Sequence, residues 1–418
     1  MIVTTNAAQI KLTVLVCLVS VLAMLSFALW PVFLTELGLI WNLSNTEIGL
    51  IGGAYFFGYV VATPFLVSST DFWDAKKVFI IGSLISFTGC CAFSIFANSF
   101  WSALIIWAIV GAGLAGTYMP GLQILNARLE SDLRVKVVPW YTSCFGIGTG
   151  LSYYFMSYNL TNFDAQTAAA LAALGPLSAA LLTVFFIPSR NVDAGRRPNR
   201  KLINFRPALS HRRTVAYIIC YGAHNFELFA FRSWIFALLI FLQSQHSGLF
   251  SVNSAGALVT IMTLIGVVVS ILGAKLCLHF NRNQVIGVIG LGATLLAIFS
   301  ALFLNGPLWP AILLILLYYV AIMMDSGALT AGVVKESDDQ NRGSILAAYS
   351  MFGFIGSILG PPLIGFVLDG SGGLESYAAW KWGLIAMATG SFAVFIIQNT
   401  LLKAKPWTPR THRNLRSD

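Results

Sequence analysis

The chain reads as an all-α membrane protein, with twelve transmembrane helices arranged as two pseudo-symmetric six-helix bundles. Three observations predict this. Residues AVILMFWYC make up 57% of the 418 positions and charged residues only 10%, against roughly 25% charged in a soluble domain, so there is too little charge to cover a water-facing surface. Apolar runs of about 20 residues, the length a helix needs to cross the hydrocarbon core, recur twelve times along the chain. A basic stretch near the middle, rich in Arg, Pro and Asn, divides those runs six and six.

The first run, 12–34, follows Lys11 in the manner of a secretory leader but continues to Leu34 without a small-residue cleavage site. It is therefore expected to remain as a span. The other eleven are expected at 46–68, 78–97, 101–126, 137–157, 167–187, 214–242, 253–276, 284–304, 309–333, 343–368 and 380–402. The organisation that follows is a bundle over 1–187, a basic linker over 188–213, a second bundle over 214–402 and a basic tail over 403–418.

Twelve spans put both termini on one face, and with that count 23 of the 25 Lys and Arg residues fall on the terminal face. The exceptions are Arg232, inside a span, and Lys381, on the opposite face. Basic loops face the cytoplasm, so both termini are expected there, and the short loops suggest a bacterial inner membrane. This partition accounts for the net charge of +9 without nucleic acid, because the basic residues lack the aromatic interleaving and fold signals of a nucleic-acid binder. Cys17, Cys90, Cys91, Cys144, Cys220 and Cys277 all lie in apolar runs without metal-ligand spacing and read as packing residues. No glycine-rich phosphate loop precedes a lysine, and no loop is long enough to hold an enzyme. The expectation is a monomeric, cofactor-free carrier whose partners are the bilayer, a small solute and protons.

An internal repeat supports this. At an offset of 207 residues, Phe145-Gly146 falls on Phe352-Gly353, Ala23 on Ala230, Ser26 on Ser233, Val78 on Val285, and Trp73 on Phe280. Parallel six-helix repeats with a solute site between them describe a transporter architecture.

Ionisable groups inside spans cost at least ~2.5–3.5 kcal/mol each on insertion scales and mark function by default. Four occur: His224, Glu227 and Arg232 in span seven and Asp325 in span ten. Glu227 lies 13 residues past Thr214, roughly 20 Å along a helix rising ~1.5 Å per residue, near mid-membrane. His224 and Glu227 share a helical face, as do Asn225 and Arg232. Arg232 sits about 140° round the helix from Glu227, so a partner on another helix is expected, either Asp325 or a substrate carboxylate. Two embedded acids against one permanent cation leave one carboxylate without a counter-charge. Burial disfavours its charged form, which suits a group that takes up and releases a proton. A buried structural network is the competing reading. Trp30, Tyr55, Tyr59, Tyr118, Gln123 and Tyr141, on spans one, two, four and five, are expected to complete the cavity, with packing or lipid-facing roles as the alternative. Tyr118 is the counterpart of Asp325 under the offset. Glycine runs such as Gly353 through Gly360 are expected where helices approach closely.

The loop Asp71-Phe72-Trp73-Asp74-Ala75-Lys76-Lys77 resembles the cytoplasmic signature loop of the major facilitator superfamily. Asp71 stands at its acidic position and Lys76 among its basic ones, while Phe72 replaces the usual Arg and Asp74 the turn glycine. Trp41 through Gly49 resembles the outer loop before span two in many members. Tyr221 through Leu228, Arg232-Ser233-Trp234 and Asp325 through Gly332 are similar to a bacterial permease subgroup loosely related to cyanate and nitrate permeases. The resemblance covers essentially the whole chain. It implies the major facilitator fold and a secondary carrier working by alternating access, proton-coupled, for a small organic or inorganic anion, with Asp71, Lys76 and Lys77 in the gate loop. Nitrate carriers of the family use arginines in spans two and eight, which are absent here and count against nitrate. A proton-driven drug or metabolite exporter is the alternative. A non-transporting sensor or a membrane enzyme on a carrier scaffold is more distant.

Overall fold

A computed structural model describes residues 6–190, 206–246, 250–337 and 342–402. The basic tail over 403–418 and the greater part of the basic linker over 188–213 lie outside the described residues. In chain order, α1 (Asn6–Ala23) and α2 (Leu29–Ile40) share the first expected span. α3 (Asn45–Ser69), α4 (Ala75–Phe96), α5 (Phe100–Arg128) and α6 (Ser131–Asn162) take the next four, and α7 (Ala165–Ala172) with α8 (Leu174–Phe186) takes the sixth. After the short α9 (Arg206–Ser210) come α10 (Arg212–Gln245), α11 (Val252–His279) and α12 (Arg282–Leu302). α13 (Leu308–Met324) with α14 (Ser326–Lys335), α15 (Arg342–Gly370), and α16 (Tyr377–Met387) with α17 (Thr389–Thr400) complete the set.

Ten of these spans are long and apolar enough to cross a membrane, and α1 and α2 are shorter apolar helices. α6 is not among the ten, although its 32 residues extend roughly 48 Å at ~1.5 Å per residue. Arg134, Lys136 and the hydroxyl-bearing stretch from Ser152 to Asn162 dilute its apolar character. Together these elements form the twelve-helix membrane fold expected from the sequence.

Four spans expected as single helices are broken, and at two of the breaks proline supplies the reason. Between α1 and α2 the backbone tightens, with Met24, Leu25, Phe27 and Leu29 each donating to the carbonyl three residues back. Pro31 has no N–H for the Phe27 carbonyl and would crowd it, so the helix restarts just before the proline. Pro176 stands in the same relation to the break at Ala173. The junction of α13 and α14 has no proline and is occupied by Asp325.

Helix bounds also keep the repeat register. Adding 207 to the bounds of α3, α4 and α5 gives 252–276, 282–303 and 307–335, close to the observed α11, α12 and α13 with α14. The copies differ where chemistry is carried: α5 runs unbroken through Tyr118, whereas its counterpart is interrupted at Asp325.

The chain forms two compact units, one comprising Met1–Leu43, Leu50–Arg200 and Gly248–Leu264, the other Ser44–Gly49, Lys201–Ser247 and Ile265–Asp418. In the first, α4 and α5 meet backbone to backbone. A Cβ on Gly82 would lie 2.5 Å from Gly116 Cα, so only glycines permit the approach. In the second, α10 packs along α15, where Gly356 faces the Gly222 carbonyl and Gly360 the Phe226 carbonyl. α10 is by far the most enclosed span: 89% of its apolar window is buried, against 44–56% for the other nine. His224, Glu227 and Arg232, in the interior of α10, are accordingly buried by protein. Asp369 of α15 binds Asn45 through its N (2.9 Å) and Nδ2 (2.8 Å), and Thr46 through its N (2.8 Å) and Oγ1 (2.6 Å), satisfying amides at the start of α3.

Candidate functional site

The second unit gathers ionisable side chains along α10. His224, Asn225, Glu227 and Arg232 are all buried, as is Asp325 at the α13–α14 junction. Glu227 is met from two helices. Tyr318 on α13 donates to Oε1 (2.6 Å) and Ser391 on α17 donates to Oε2 (2.5 Å). Ser391 reaches it because Gly390 lets α17 lie against α10, where a Cβ would come 2.5 Å from the Ala223 carbonyl oxygen and 2.8 Å from Glu227 Cβ. Among the described residues no cation lies within ion-pairing distance of Glu227.

Arg232, five residues on, points elsewhere. Its Nη2 and Nε donate to the Tyr319 hydroxyl (2.9 and 3.3 Å), Nη2 approaches Met323 Sδ (4.0 Å), and its guanidinium carbon lies 5.7 Å from the Phe229 ring centre. Neighbouring tyrosines on α13, about 100° apart round the helix, thus serve the acid and the base separately. Phe231 packs against both rings at 5.6 and 5.2 Å.

Of the two partners expected for Arg232, Asp325 or a substrate carboxylate, Asp325 lies instead beside His224. Asp325 Oδ1 lies 2.7 Å from His224 Nδ1, within ion-pairing distance but without hydrogen-bond geometry. The α13–α14 break delivers the carboxylate to the His224 turn of α10, two turns from Arg232. His224 is held in place by stacking on Tyr221 (6.1 Å), which stacks in turn on Tyr349 of α15 (4.0 Å). Asn225 lies against α15 beside Gly353.

The six aromatic and polar residues expected to complete a cavity belong to the first unit and separate there. Tyr141 donates to the Tyr118 carbonyl (2.5 Å), accepts from Ser20 (3.2 Å), and its ring stacks on that of Tyr118 at 6.0 Å. Ser20, Met24, Thr117, Tyr118 and Phe145 bound a recess too narrow to admit water. Tyr55 packs between Phe27 (5.5 Å) and Trp107 (5.3 Å), and Trp30 stacks on Trp41 at 6.3 Å. Tyr59 is buried one turn beyond Tyr55, and Gln123 is exposed.

The signature loop is redistributed. Asp71 and Lys77 are exposed, whereas Asp74 is buried and caps α4 by accepting from Lys76 N (3.1 Å). Asp74 also accepts Arg128 Nη2 at 2.7 and 3.0 Å and Arg190 N at 2.6 Å. Arg128 donates on to the Pro188 carbonyl (3.1 Å), and Lys76 Nζ donates to the Val184 carbonyl (2.9 Å). Burial pushes the Asp74 carboxyl up, but donors from Arg190, Arg128 and Lys76 outweigh it and hold it below the ordinary range. The acid that organises this loop is therefore Asp74 rather than Asp71. It stands immediately before the helix, where a carboxylate can reach the free amides.

Sequence reasoning missed Tyr318, Tyr319, Ser391, Asp74 and Arg128. The Tyr318-Tyr319 pair, two hydroxyls in an otherwise apolar helix, was the one legible signal.

Comparison with known proteins places these features in context. The family model described as Major Facilitator Superfamily matches residues 15–336. A hexuronate transporter of Bacillus subtilis (strain 168) is 22% identical over 379 residues, covering 85% of this chain and 87% of that protein. The crystal structure of the nucleoside transporter NupG superposes with a TM-score of 0.72 at 17% identity, covering 94% of this chain and all of the other. That of a D-xylose-proton symporter also gives 0.72, at 15% identity, covering 94% of this chain and 97% of the other.

Proposed function

The chain belongs to the major facilitator superfamily, whose members carry small solutes across membranes, and we propose that it is a proton-coupled secondary carrier for a small organic anion, working by alternating access. The observation that carries this reading is Glu227, buried on the most enclosed span and held, among the described residues, by the hydroxyls of Tyr318 and Ser391. A carboxyl with hydroxyl partners can gain or lose a proton without breaking an ion pair, since each hydroxyl turns from donor to acceptor as required. The fixed charge of Arg232 on the same helix supplies a complement for a carboxylate. The similarity to a hexuronate transporter, named for a sugar acid, points to the same class of solute. The reading places the protein in a bacterial inner membrane as a monomer, with both termini cytoplasmic, the 1–187 and 214–402 bundles moving about the solute, and the Asp74 loop at the cytoplasmic gate.

Proteoliposomes loaded at a defined pH test it. Sugar acids and small carboxylates are screened for uptake that moves protons. Glu227→Gln is expected to lose proton-driven accumulation while still exchanging external for internal substrate, because the amide keeps the shape but carries no exchangeable charge. Accumulation at the wild-type level in that variant would remove Glu227 from coupling.

A further inference from the structure

At the start of α10, His211, Arg212, Arg213 and Thr214, with Glu336 just after α14, line a cavity of about 230 Å³. All five belong to the second unit. α10 is 34 residues long, and its N-cap, His211, is extended and provides no side-chain cap. The first backbone bond at this end runs from Val215 N to the His211 carbonyl (3.0 Å). The amides of Arg212, Arg213 and Thr214 therefore have no acceptor within the helix, and the positive end of the helix dipole lies behind them.

Any helix start offers that much, but this one has two further features. The side chains of His211, Arg212 and Arg213 are exposed around the opening, against one lining carboxylate, Glu336, 3.6 Å from Arg213 Nη1. Thr214, wholly buried in the wall, has an Oγ1 without a hydrogen-bond partner. Threonines in these helices commonly bond back to the carbonyl four residues earlier, as Thr13, Thr63 and Thr263 do. For Thr214 that residue is Ser210, outside the helix.

We propose that this cavity binds a phosphate group. Free amides at a helix start, a hydroxyl donor and two guanidinium groups form the donor set that a tetrahedral oxyanion requires. Two sources carry that chemistry: the headgroup of an anionic phospholipid, which basic segments at the cytoplasmic surface attract, and soluble phosphate. The site is separate from the buried set on α10, since Glu227 lies 13 residues further along, roughly 20 Å at ~1.5 Å per residue. It does not depend on the transport reading.

The test uses the full chain in a phosphate-free maltoside detergent. Thermal shift and native mass spectrometry compare phosphatidylglycerol with a phosphate-free glycolipid, and inorganic phosphate with chloride at matched ionic strength. Wild type is expected to bind phosphatidylglycerol or phosphate over its control. Arg212→Gln with Arg213→Gln should weaken binding at least about tenfold, or 1.4 kcal/mol, and Thr214→Val about threefold, the effect of one neutral hydrogen bond. Thr214→Val alters no charge, so it decides the matter if the double variant inserts poorly. Phosphatidylglycerol bound while phosphate is inert identifies a lipid headgroup; phosphate bound in the absence of lipid identifies the soluble ion. No preference over the controls in wild type, or undiminished binding in the variants, overturns the proposal.

Discussion

Arg232 and Glu227 sit five residues apart on one helix yet take different partners, and this division sets what each can do. Arg232 presents a planar fork to the Tyr319 hydroxyl, so Arg232→Lys keeps the charge but loses the fork. A charge-assisted hydrogen bond contributes about 1.5–3 kcal/mol, enough to raise KM for an anionic substrate about tenfold or more. Transport kinetics of the lysine variant read this, and an unchanged KM would show that Arg232 does not grip the anion. The sequence pointed to both residues because charge in an apolar run is conspicuous. It could not show their partners: the Tyr318-Tyr319 pair stands out in its helix, but which hydroxyl meets which charge, and that Ser391 joins them, depends on how the fold turns these side chains onto α10. The neighbour of Asp325 was hidden for a related reason: its reach depends on the break after Met324, for which the sequence offers no proline.

Among the elements, the α4 entrance shows how a cap and an ion pair combine. Asp74 and Arg128 are both buried, with side chains 4% and 2% exposed. Asp74→Asn keeps an acceptor for the α4 amides but leaves a buried guanidinium unmatched, which costs about 3–5 kcal/mol. The Asp74 carboxyl is held below its ordinary value, so its contribution is fully present above the unfolded value of about 3.9. It is lost as pH falls through the lower folded value. Thermal melts of wild type and Asp74→Asn should therefore differ by a constant gap from pH 7 to about 5, and the gap should begin to close only below about pH 4. A gap independent of pH would mean that the carboxylate charge does not hold the loop. The loop itself was legible as a signature, but the acid within it was misplaced by three residues. Family pattern marked Asp71, whereas helix-capping geometry selects the residue directly before the first turn. The same limit applies to the breaks at 24–28 and at Ala173: hydropathy finds a span, and Pro31 and Pro176 carried the information about where it bends.

For the whole molecule, the weakest span decides the orientation of everything after it. Ten spans meet the length and apolarity of a membrane crossing, and the pair α1–α2 lies in the first expected span. α6 is long but carries Arg134 and Lys136 near one end and a hydroxyl-rich stretch at the other. If α6 crosses, the loops after α4 and after α12 lie on the same outer face, and 23 of the 25 basic residues collect on the cytoplasmic side. If it does not, every later loop inverts and the basic residues scatter over both faces. Asn98 and Asn305 are exposed residues in those two loops, so single cysteines placed there in a cysteine-free background separate the cases. Both should react with a membrane-impermeant maleimide on intact cells, and a cysteine at exposed Lys77, in the first turn of α4, should react only after lysis. Labelling at position 98 without labelling at 305 would leave α6 outside the bilayer. The two-bundle organisation and the outward access proposed for the solute would fall with it.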